Sequence, residues 1–293
     1  MYKTLLTSLL LGLFPTSGNL SADTSALERI AIAPPSAMLS SEDELSASGI
    51  AIVDLRSGQN VYVKQHKIQR PMASLTKLMT ALLIVENHEM NEVVTVPQNV
   101  TNAVGNKAYL PPGNRFTVGD LLSALLINSA NDAALTLAQH HSGSVSAFVA
   151  DMNERALKLG LTSTSFRNPS GLDHPAHWST PQDIAWLTMF TLRYEEISER
   201  LGRSGARIAS VGTNDDPIQL YHTHALLHAQ NPVIAGKTGT TNDAGQCLIS
   251  IVKTEERDLL VVLLNSNQRY KDMETILEIL SPDADSVAST SGQ

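Results

Sequence analysis

Strand-like segments stand near both ends of this chain, and a long helical region separates them. Ser48–Asp54 and Gln59–Val63 flank the turn sequence Leu55-Arg56-Ser57-Gly58, which is typical of a β-hairpin. The later β-type runs are Val233–Lys237, Gln246–Lys253 and Asp258–Leu264. Because such runs must pair and bury their apolar faces, we predict an α+β fold. One antiparallel sheet would take its strands from distant parts of the chain, with helices flanking it.

The region between the strands has apolar residues at helical spacing. The predicted helices are Val118–Ile127, Asp132–His141, Ser144–Leu159, Pro181–Leu192 and Tyr270–Leu280. Asn128–Asn131 interrupts the pattern between the first two. The first four helices therefore form an insert between the early and late strands of the sheet.

The two termini differ in composition from the domain between them. The N-terminus is typical of a signal peptide, with the basic residue Lys3, the apolar run Leu5–Phe14 and an acceptable cleavage site at Leu20-Ser21-Ala22. This pattern predicts export to the periplasm and cleavage near Ala22. We assign residues 1–22 to this signal, 23–47 to a linker or arm, 48–280 to one domain and 281–293 to a polar tail. The apolar run is too short to span a bilayer, so we predict no membrane anchor.

Charge and cysteine content limit the possible partners. The formal net charge is −8 and the isoelectric point is near 5.6, and Lys and Arg form no cluster, which argues against nucleic acid. Cys247 is the only cysteine, so an intramolecular disulfide is impossible. Its apolar surroundings predict a buried, inert thiol.

Ser74 and Lys77 form the first motif that suggests chemistry. They lie three residues apart at the start of the helical run Ala73–Leu83, so they share one helix face. A buried lysine can lose its proton and act as a base, and a serine beside it would be an activated nucleophile. Taken alone, the pair is better explained as an N-cap serine and a solvated lysine.

Two further motifs change the balance between these interpretations. Ser129-Ala130-Asn131 follows an apolar helical run, and Lys237-Thr238-Gly239 follows a strand-like run. Each motif also has a purely structural explanation. Ser129 and Asn131 could be turn and cap residues between two helices, and Lys237-Thr238-Gly239 could be a strand end followed by a turn. Together, in this order and at wide spacing, the three motifs are the signature of penicillin-binding proteins and class A β-lactamases.

From about Ser48 to Leu280 the chain resembles the low-molecular-mass penicillin-binding proteins, which are serine D-alanyl-D-alanine peptidases. Asn168-Pro169-Ser170-Gly171-Leu172 and the segment Thr238–Gly245 also resemble patterns of that family. The resemblance implies a β-lactamase/transpeptidase-like fold and peptidoglycan stem peptides as substrates. It also implies β-lactam antibiotics as covalent inhibitors. Partners among other cell-wall enzymes stay unknown.

The resemblance assigns roles to five catalytic residues. Ser74 would attack a D-alanyl carbonyl carbon and form an acyl-enzyme, and Lys77 would take its proton. Ser129, assisted by Lys237, would pass a proton to the leaving amine. Asn131, which has both a donor and an acceptor, would orient Lys77 and the substrate amide.

The three residues after Lys237, which are Thr238, Gly239 and Thr240, would bind substrate. The backbone N–H groups of Ser74 and Thr240 would form the oxyanion hole. Gly239 would allow a peptide close approach to the strand, and the Thr238 hydroxyl would contact a substrate carboxylate or carbonyl.

The nine histidines suggest a metal, but their spacing does not support one. His222, His224 and His228 lie close in sequence, as do His174 and His177, yet His-Glu-x-x-His is missing and no acidic residue stands at metal spacing beside them. We expect exposed or structural histidines and predict no metal and no cofactor.

Several reactions share an acyl-serine site. A class A β-lactamase needs a glutamate to activate water, and Phe166–Asp183 contains none. The chain stops soon after its last predicted helix, and Asp283–Gln293 has no apolar face, which resembles the short, soluble D-alanyl-D-alanine endopeptidases. A D-alanyl-D-alanine carboxypeptidase is the alternative. A non-catalytic sensor that stays acylated is a further one.

Overall fold

The computed structural model describes residues 45–255 and 257–280. Its strands are β1 (Gly49–Asp54), β2 (Asn60–Lys64), β3 (Val93–Thr95), β4 (Arg115–Thr117), β5 (Gly205–Ile208), β6 (Ile218–Tyr221), β7 (Val233–Thr241), β8 (Gly245–Lys253) and β9 (Asp258–Ser266). Its α-helices are α1 (Lys77–Asn87), α2 (Val118–Leu126), α3 (Asn131–Ser142), α4 (Val145–Lys158), α5 (Pro181–Thr191), α6 (Glu195–Leu201) and α7 (Arg269–Ile279).

Five of the strands form one antiparallel sheet in the order β2-β1-β9-β8-β7. The early hairpin therefore pairs with the last strand of the chain, and the edge strands β2 and β7 are far apart in sequence. This arrangement confirms the predicted α+β class and the sheet built from both ends of the chain.

The sheet separates two hydrophobic cores. Side chains alternate between its faces, so Ile50 and Ile52 of β1 pack in a cluster with Met273 of α7. Ala51 and Val53 point the other way, into the larger core with the remaining helices. Sheet strands buried on both faces explain why β8 and β9 read as continuous apolar runs.

Helix α1 lies inside the larger core. Every residue from Lys77 to Ile84 is buried, which is the burial expected of a helix that is apolar on nearly all sides. A 3-10 turn, Ala73–Thr76, precedes it and carries Ser74. The predicted helix around the first motif therefore exists, but its first turn is more tightly wound than an α-helix.

Strand β7 is longer than the sequence predicted. It continues past Lys237 to Thr241, because Thr238 pairs with Leu248 and Gly239 pairs with Cys247 of β8. The third motif is thus part of an edge strand, and the alternative of a strand end followed by a turn is wrong. Pairing with β8 outweighs the weak strand preference of glycine.

Between α5 and β7 the sequence predicts no element, but the structure has a short helix, a two-stranded hairpin and a 3-10 turn. Helix α6 has seven residues, and β5 and β6 form a hairpin of four-residue strands. Ile208 and Leu220 are the buried side chains that attach this hairpin to the larger core. Such short strands carry too few residues to show an alternating pattern.

The first described residues pack on the domain. Leu45 and Ala47 are buried on the α7 side of the sheet, and the Ser46 amide and hydroxyl donate to the Asp272 carboxylate at 2.8 and 2.9 Å. These three residues belong to the predicted arm. The predicted signal peptide, the rest of the arm and the polar tail lie outside the described residues.

No helix in the described ranges has the length and apolar character needed to cross a bilayer.

Candidate active site

The Lys77 amine joins the first two motifs. Its Nζ donates to Ser74 Oγ at 2.9 Å and to Asn131 Oδ1 at 2.6 Å. A third bond, at 2.7 Å, goes to the backbone carbonyl of Ser170. The side chain at i+3 reaches the serine one turn away, as the spacing predicts. Three neutral acceptors surround the amine, with no carboxylate among them.

Burial governs the charge state of Lys77. Its side chain is 0% exposed, and removal from water lowers its pKa well below the ordinary value of 10.5. The charge of Lys237 lowers this pKa further, and Asp132 partly opposes the shift. A lowered pKa favours the neutral amine, whose two N–H groups can donate to Asn131 and Ser170 while its lone pair accepts the Ser74 proton.

Ser129 and Lys237 form a second bonded pair. The Lys237 Nζ donates to Ser129 Oγ at 2.7 Å and to the Thr238 carbonyl at 2.9 Å. Burial, with a smaller effect from Arg269, lowers the pKa of Lys237 to about 7. Ser129 has φ +57°, a left-handed backbone that turns the chain sharply between α2 and α3. This turn lets the Ser129 side chain contact Lys237 while the Asn131 side chain contacts Lys77.

Asn131 stands at the start of α3 and uses both ends of its amide. Its Oδ1 accepts from Lys77, and its Nδ2 donates to the Val104 carbonyl at 2.6 Å. Its backbone amide donates to the Asn106 carbonyl at 2.8 Å. The amide orientation is therefore fixed by the loop that begins at residue 103.

Strand β7 lies directly against the turn that carries Ser74. A Cβ placed on Gly239 would lie 2.8 Å from the Ser74 backbone nitrogen and 2.9 Å from the Ala73 Cβ. Real Cβ atoms do not approach this closely, so only glycine allows the contact. The loop glycine Gly171 closes the turn from another side, because its Cβ would lie 1.9 Å from the Ala73 oxygen.

The remaining predicted residues lie along β7 beside this contact. Thr238 is buried, and its hydroxyl donates to the Thr223 hydroxyl at 2.6 Å. Thr240 is exposed at the outer edge, where its hydroxyl accepts from Arg269 Nη1 at 2.8 Å. All eight predicted site residues therefore lie in one region, around the turn that carries Ser74.

A sequence profile of the D-alanyl-D-alanine carboxypeptidases matches residues 36–268. The chain belongs to this family. DacF, a D-alanyl-D-alanine carboxypeptidase of Bacillus subtilis, is 31% identical over 75% of this chain, which spans 58% of the length of DacF. A D-alanyl-D-alanine endopeptidase of Escherichia coli is 28% identical over 80% of this chain and 76% of its own length.

The fold agrees with the family assignment. The crystal structure of a D-alanyl-D-alanine carboxypeptidase from Mycobacterium tuberculosis superposes with a TM-score of 0.75 at 26% identity. The match covers 86% of this chain and 96% of the other. Both the predicted family and the predicted fold class are thus confirmed.

Sequence reasoning missed several contributors to this D-alanyl-D-alanine carboxypeptidase-family site. The Ser170 carbonyl is held by an Asn168 turn, in which Asn168 Oδ1 accepts from the Gly171 amide at 2.7 Å. The Asp132 carboxylate accepts from the Ala108 and Leu110 amides, each at 3.0 Å, and so fixes the neighbouring loop. The Asn168 segment resembles a family pattern, but its sequence alone indicates no role for it.

Arg269 is the other omission. Its Nη1 donates to the Gly239 carbonyl at 2.9 Å as well as to Thr240. Its Nε is buried without a hydrogen-bond partner among the described residues. Arg269 lies 32 positions after Lys237 in a polar segment, where no local pattern distinguishes it from a solvated arginine.

Cys247 is inert, as the sequence predicts. The thiol is fully buried in the sheet, and burial raises its pKa to about 11. Reaction at this position would need a thiolate that the surroundings disfavour.

The buried histidine His177 has a structural role. His177 accepts from the Arg167 amide through Nδ1, so its Nε2–H faces the Thr76 hydroxyl at 2.7 Å. Thr76 in turn donates to the Ala73 carbonyl at 2.8 Å, within the turn that carries Ser74. Burial lowers the pKa of His177 to about 4, so the ring stays neutral.

Proposed function

We propose that this chain is a serine D,D-peptidase that cleaves peptidoglycan stem peptides through an acyl-serine intermediate. The observation that carries the proposal is the bond from the buried Lys77 amine to the Ser74 hydroxyl, with the Ser129–Lys237 pair beside it. A nucleophile, a base and a separate proton donor are the groups that acyl transfer to serine requires.

In the first step, Ser74 Oγ attacks the carbonyl carbon of a D-alanyl peptide bond, and its proton moves to neutral Lys77. The backbone N–H groups of Ser74 and Thr240 hold the oxyanion. As the peptide C–N bond breaks, the leaving nitrogen takes a proton from Ser129, which is resupplied by Lys237. The product is a Ser74 ester and a free amine.

In the second step, water hydrolyses the ester and restores the Ser74 hydroxyl. No glutamate is available in Phe166–Asp183 to activate that water, as a class A β-lactamase requires. A β-lactam ring opened by Ser74 would therefore remain attached. We propose that β-lactams are covalent inhibitors of this protein and not efficient substrates.

We propose that the natural reaction is cleavage of D-alanyl cross-links, an endopeptidase activity in the periplasm. Two relatives named D-alanyl-D-alanine endopeptidase, from Escherichia coli and Pseudomonas aeruginosa, support it, since they match over 80% and 81% of this chain.

A D-alanyl-D-alanine carboxypeptidase is the second candidate, favoured by Arg269. This cation lies beside Thr240 at the edge of β7, where it would attract the free carboxylate of a terminal D-alanine.

Purified protein incubated with defined muropeptides separates these activities. Release of monomers from a cross-linked dimer supports the endopeptidase, and release of D-alanine from a pentapeptide supports the carboxypeptidase. Stable penicillin labelling with neither product indicates a sensor. Ser74→Ala abolishes labelling by a fluorescent penicillin, whereas Ser198→Ala in α6 keeps it. Labelling of Ser74→Ala at the wild-type level would refute the nucleophile assignment.

A further inference from the structure

Three histidines and a glutamate meet at a place remote from Ser74. His88 Nδ1 lies 2.9 Å from Glu92 Oε2, and His140 Nε2 lies 2.7 Å from Glu92 Oε1. His141 adds a fourth group, since its Nδ1 lies 2.9 Å from His88 Nε2. His88 is the C-cap of α1, and the other two histidines belong to the last turn of α3.

The cluster is separate from the proposed active site. Helix α1 begins at Lys77 and α3 begins at Asn131, whereas the histidines stand at the opposite ends of both helices. At 1.5 Å per residue, His88 is about 16 Å along the axis from Lys77, and His140 is about 14 Å from Asn131. The peptidase chemistry therefore does not explain these side chains.

We propose that His88, Glu92 and His140 bind one divalent transition-metal ion of the zinc class. Two imidazole nitrogens and one carboxylate are a common donor set for Zn²⁺ and leave one position for water. The mixture of nitrogen and oxygen donors disfavours Mg²⁺ and Ca²⁺, which prefer oxygen ligands alone.

The spacing of the donor atoms fits such an ion after a small movement. One atom from each of the three residues lies within 4.8 Å of the others. Tetrahedral zinc with bonds near 2.0–2.1 Å separates neighbouring ligand atoms by about 3.3 Å. His88 and His140 contact different oxygens of Glu92, at 2.9 and 2.7 Å, so the carboxylate would turn to present one oxygen to the ion and the two imidazoles would move back by roughly half an ångström. All three side chains are partly exposed, so an ion can enter from solvent.

The groups behind the cluster can orient His88 as a ligand. With a metal on Nδ1, the ring proton of neutral His88 stands on Nε2 and donates to His141 Nδ1. The proton of His141 then stands on Nε2, which faces Asp151 Oδ2 at 4.0 Å. Ser142 donates to the same carboxylate oxygen at 2.6 Å. A histidine ligand whose second ring N–H donates to a nearby acceptor is the usual outer arrangement of protein metal sites.

A metal here would join the ends of α1 and α3. The other ends of these helices carry Lys77 and Asn131, which are 2.6 Å apart through their side chains. The pair of helices would then be tied at both ends, by a hydrogen bond at the reacting end and by the ion at the other. Metal binding would raise the thermal stability of the folded protein, because the unfolded chain lacks the assembled site.

Zinc titration of untagged full-length protein tests the proposal. Calorimetry after removal of metal by a chelator should give one Zn²⁺ per chain, with a midpoint at micromolar concentration or below, and Zn²⁺ should raise the melting temperature. Glu92→Gln and His140→Gln should each weaken binding by about tenfold or more. His66→Gln, a histidine outside the cluster, is the matched control and should bind as the wild type does.

Two further measurements show whether the variants are folded and whether the wild type coordinates a metal at this site. Circular dichroism in chelator must match the wild type, and Co²⁺ bound to the wild type should give the intense visible bands of tetrahedral nitrogen and oxygen coordination. The proposal fails if the wild type shows no saturable zinc site. It also fails if both cluster variants bind zinc as tightly as His66→Gln. Neither result would affect the peptidase proposal, which is judged by Ser74 labelling.

Discussion

Replacement of Lys77 by arginine tests the proposed general base. Arginine keeps a positive charge and hydrogen-bond donors near Ser74, Asn131 and Ser170, but it cannot release a proton near neutral pH. If Lys77 only supplied charge or structure, much of the acylation rate would survive. If Lys77 takes the Ser74 proton, the rate must collapse.

The size of the loss follows from the role. A positioned general base contributes about 10²–10⁴-fold, which corresponds to about 3–5 kcal/mol of the acylation barrier. A second variant, Lys77→Met, removes both the base and the bonds to the Asn131 and Ser170 oxygens. It should lose at least as much, since two buried acceptors also lose their partner.

The assay is the second-order rate of acylation by a fluorescent penicillin, followed from pH 5 to 10. In the wild type the rate should rise with pH as Lys77 deprotonates, with a midpoint well below 10.5 because burial lowers its pKa. Lys77→Arg should lack this rising limb. The matched control is Lys158→Arg, an exposed lysine paired with Glu154 in α4.

The reasoning is refuted if Lys77→Arg acylates within tenfold of the wild type and keeps the same pH dependence. Thermal unfolding identifies the trivial failure, in which the larger side chain prevents folding. In that case Lys77→Met, which is close to lysine in shape, tests whether the amine is required, and the pH dependence of the wild type tests whether it acts in its neutral form.

Three other perturbations have definite expected outcomes. Gly239→Ala should slow acylation by about 100-fold, because the new Cβ displaces β7 from the Ser74 amide by a distance of the order of an ångström. At high pH the acylation rate should fall as Lys237 loses the proton that it supplies to Ser129. Arg269→Gln should move this falling limb to higher pH, since Arg269 helps to lower the pKa of Lys237 to about 7. Folding stability should fall between pH 6.5 and 4, because His177 binds a proton when unfolded but has its folded pKa lowered to about 4. This shift amounts to about 3 kcal/mol at most.

Each of these outcomes has its own check. Gly143→Ala has open space around its Cβ but a left-handed φ of +73°, so it should cost about 1 kcal/mol of stability and leave acylation unchanged. An unchanged pH profile in Arg269→Gln would argue against coupling to Lys237. Chemical denaturation across the pH range should give a shallower slope for His177→Gln, and an identical slope would remove this histidine as the cause.

Much of the site could be predicted because its reactive side chains sit in short local motifs. Ser74 and Lys77 are one turn apart, and Ser129 and Asn131 are two residues apart, so spacing alone places each pair. Their convergence with Lys237 rests on the pairing of β7 with β8 and on its contact with the turn around Ser74. No local pattern encodes that contact, and the resemblance to a known family supplied it.

Other parts could not be predicted, for identifiable reasons. The Ser170 carbonyl contributes a backbone atom, which any residue at that position would offer. Arg269 reaches β7 from the start of α7, and nothing in its own neighbourhood marks this contact. His88 and His140 stand on different helices, 52 positions apart, and only the side-by-side packing of α1 and α3 unites them. The strands of the small hairpin β5–β6 are too short for an alternation of polar and apolar residues to be recognised in the sequence.

The burial of helix α1 links the stability of the protein to its reactivity. The helix that fills the centre of the larger core begins at Lys77, whose amine must stay shielded from water to remain a neutral base. Loosening of its first turn would admit water, return the amine to its charged form and stop acylation while most of the secondary structure persisted. Heat or mild denaturant should therefore abolish penicillin labelling before most of the molecule unfolds.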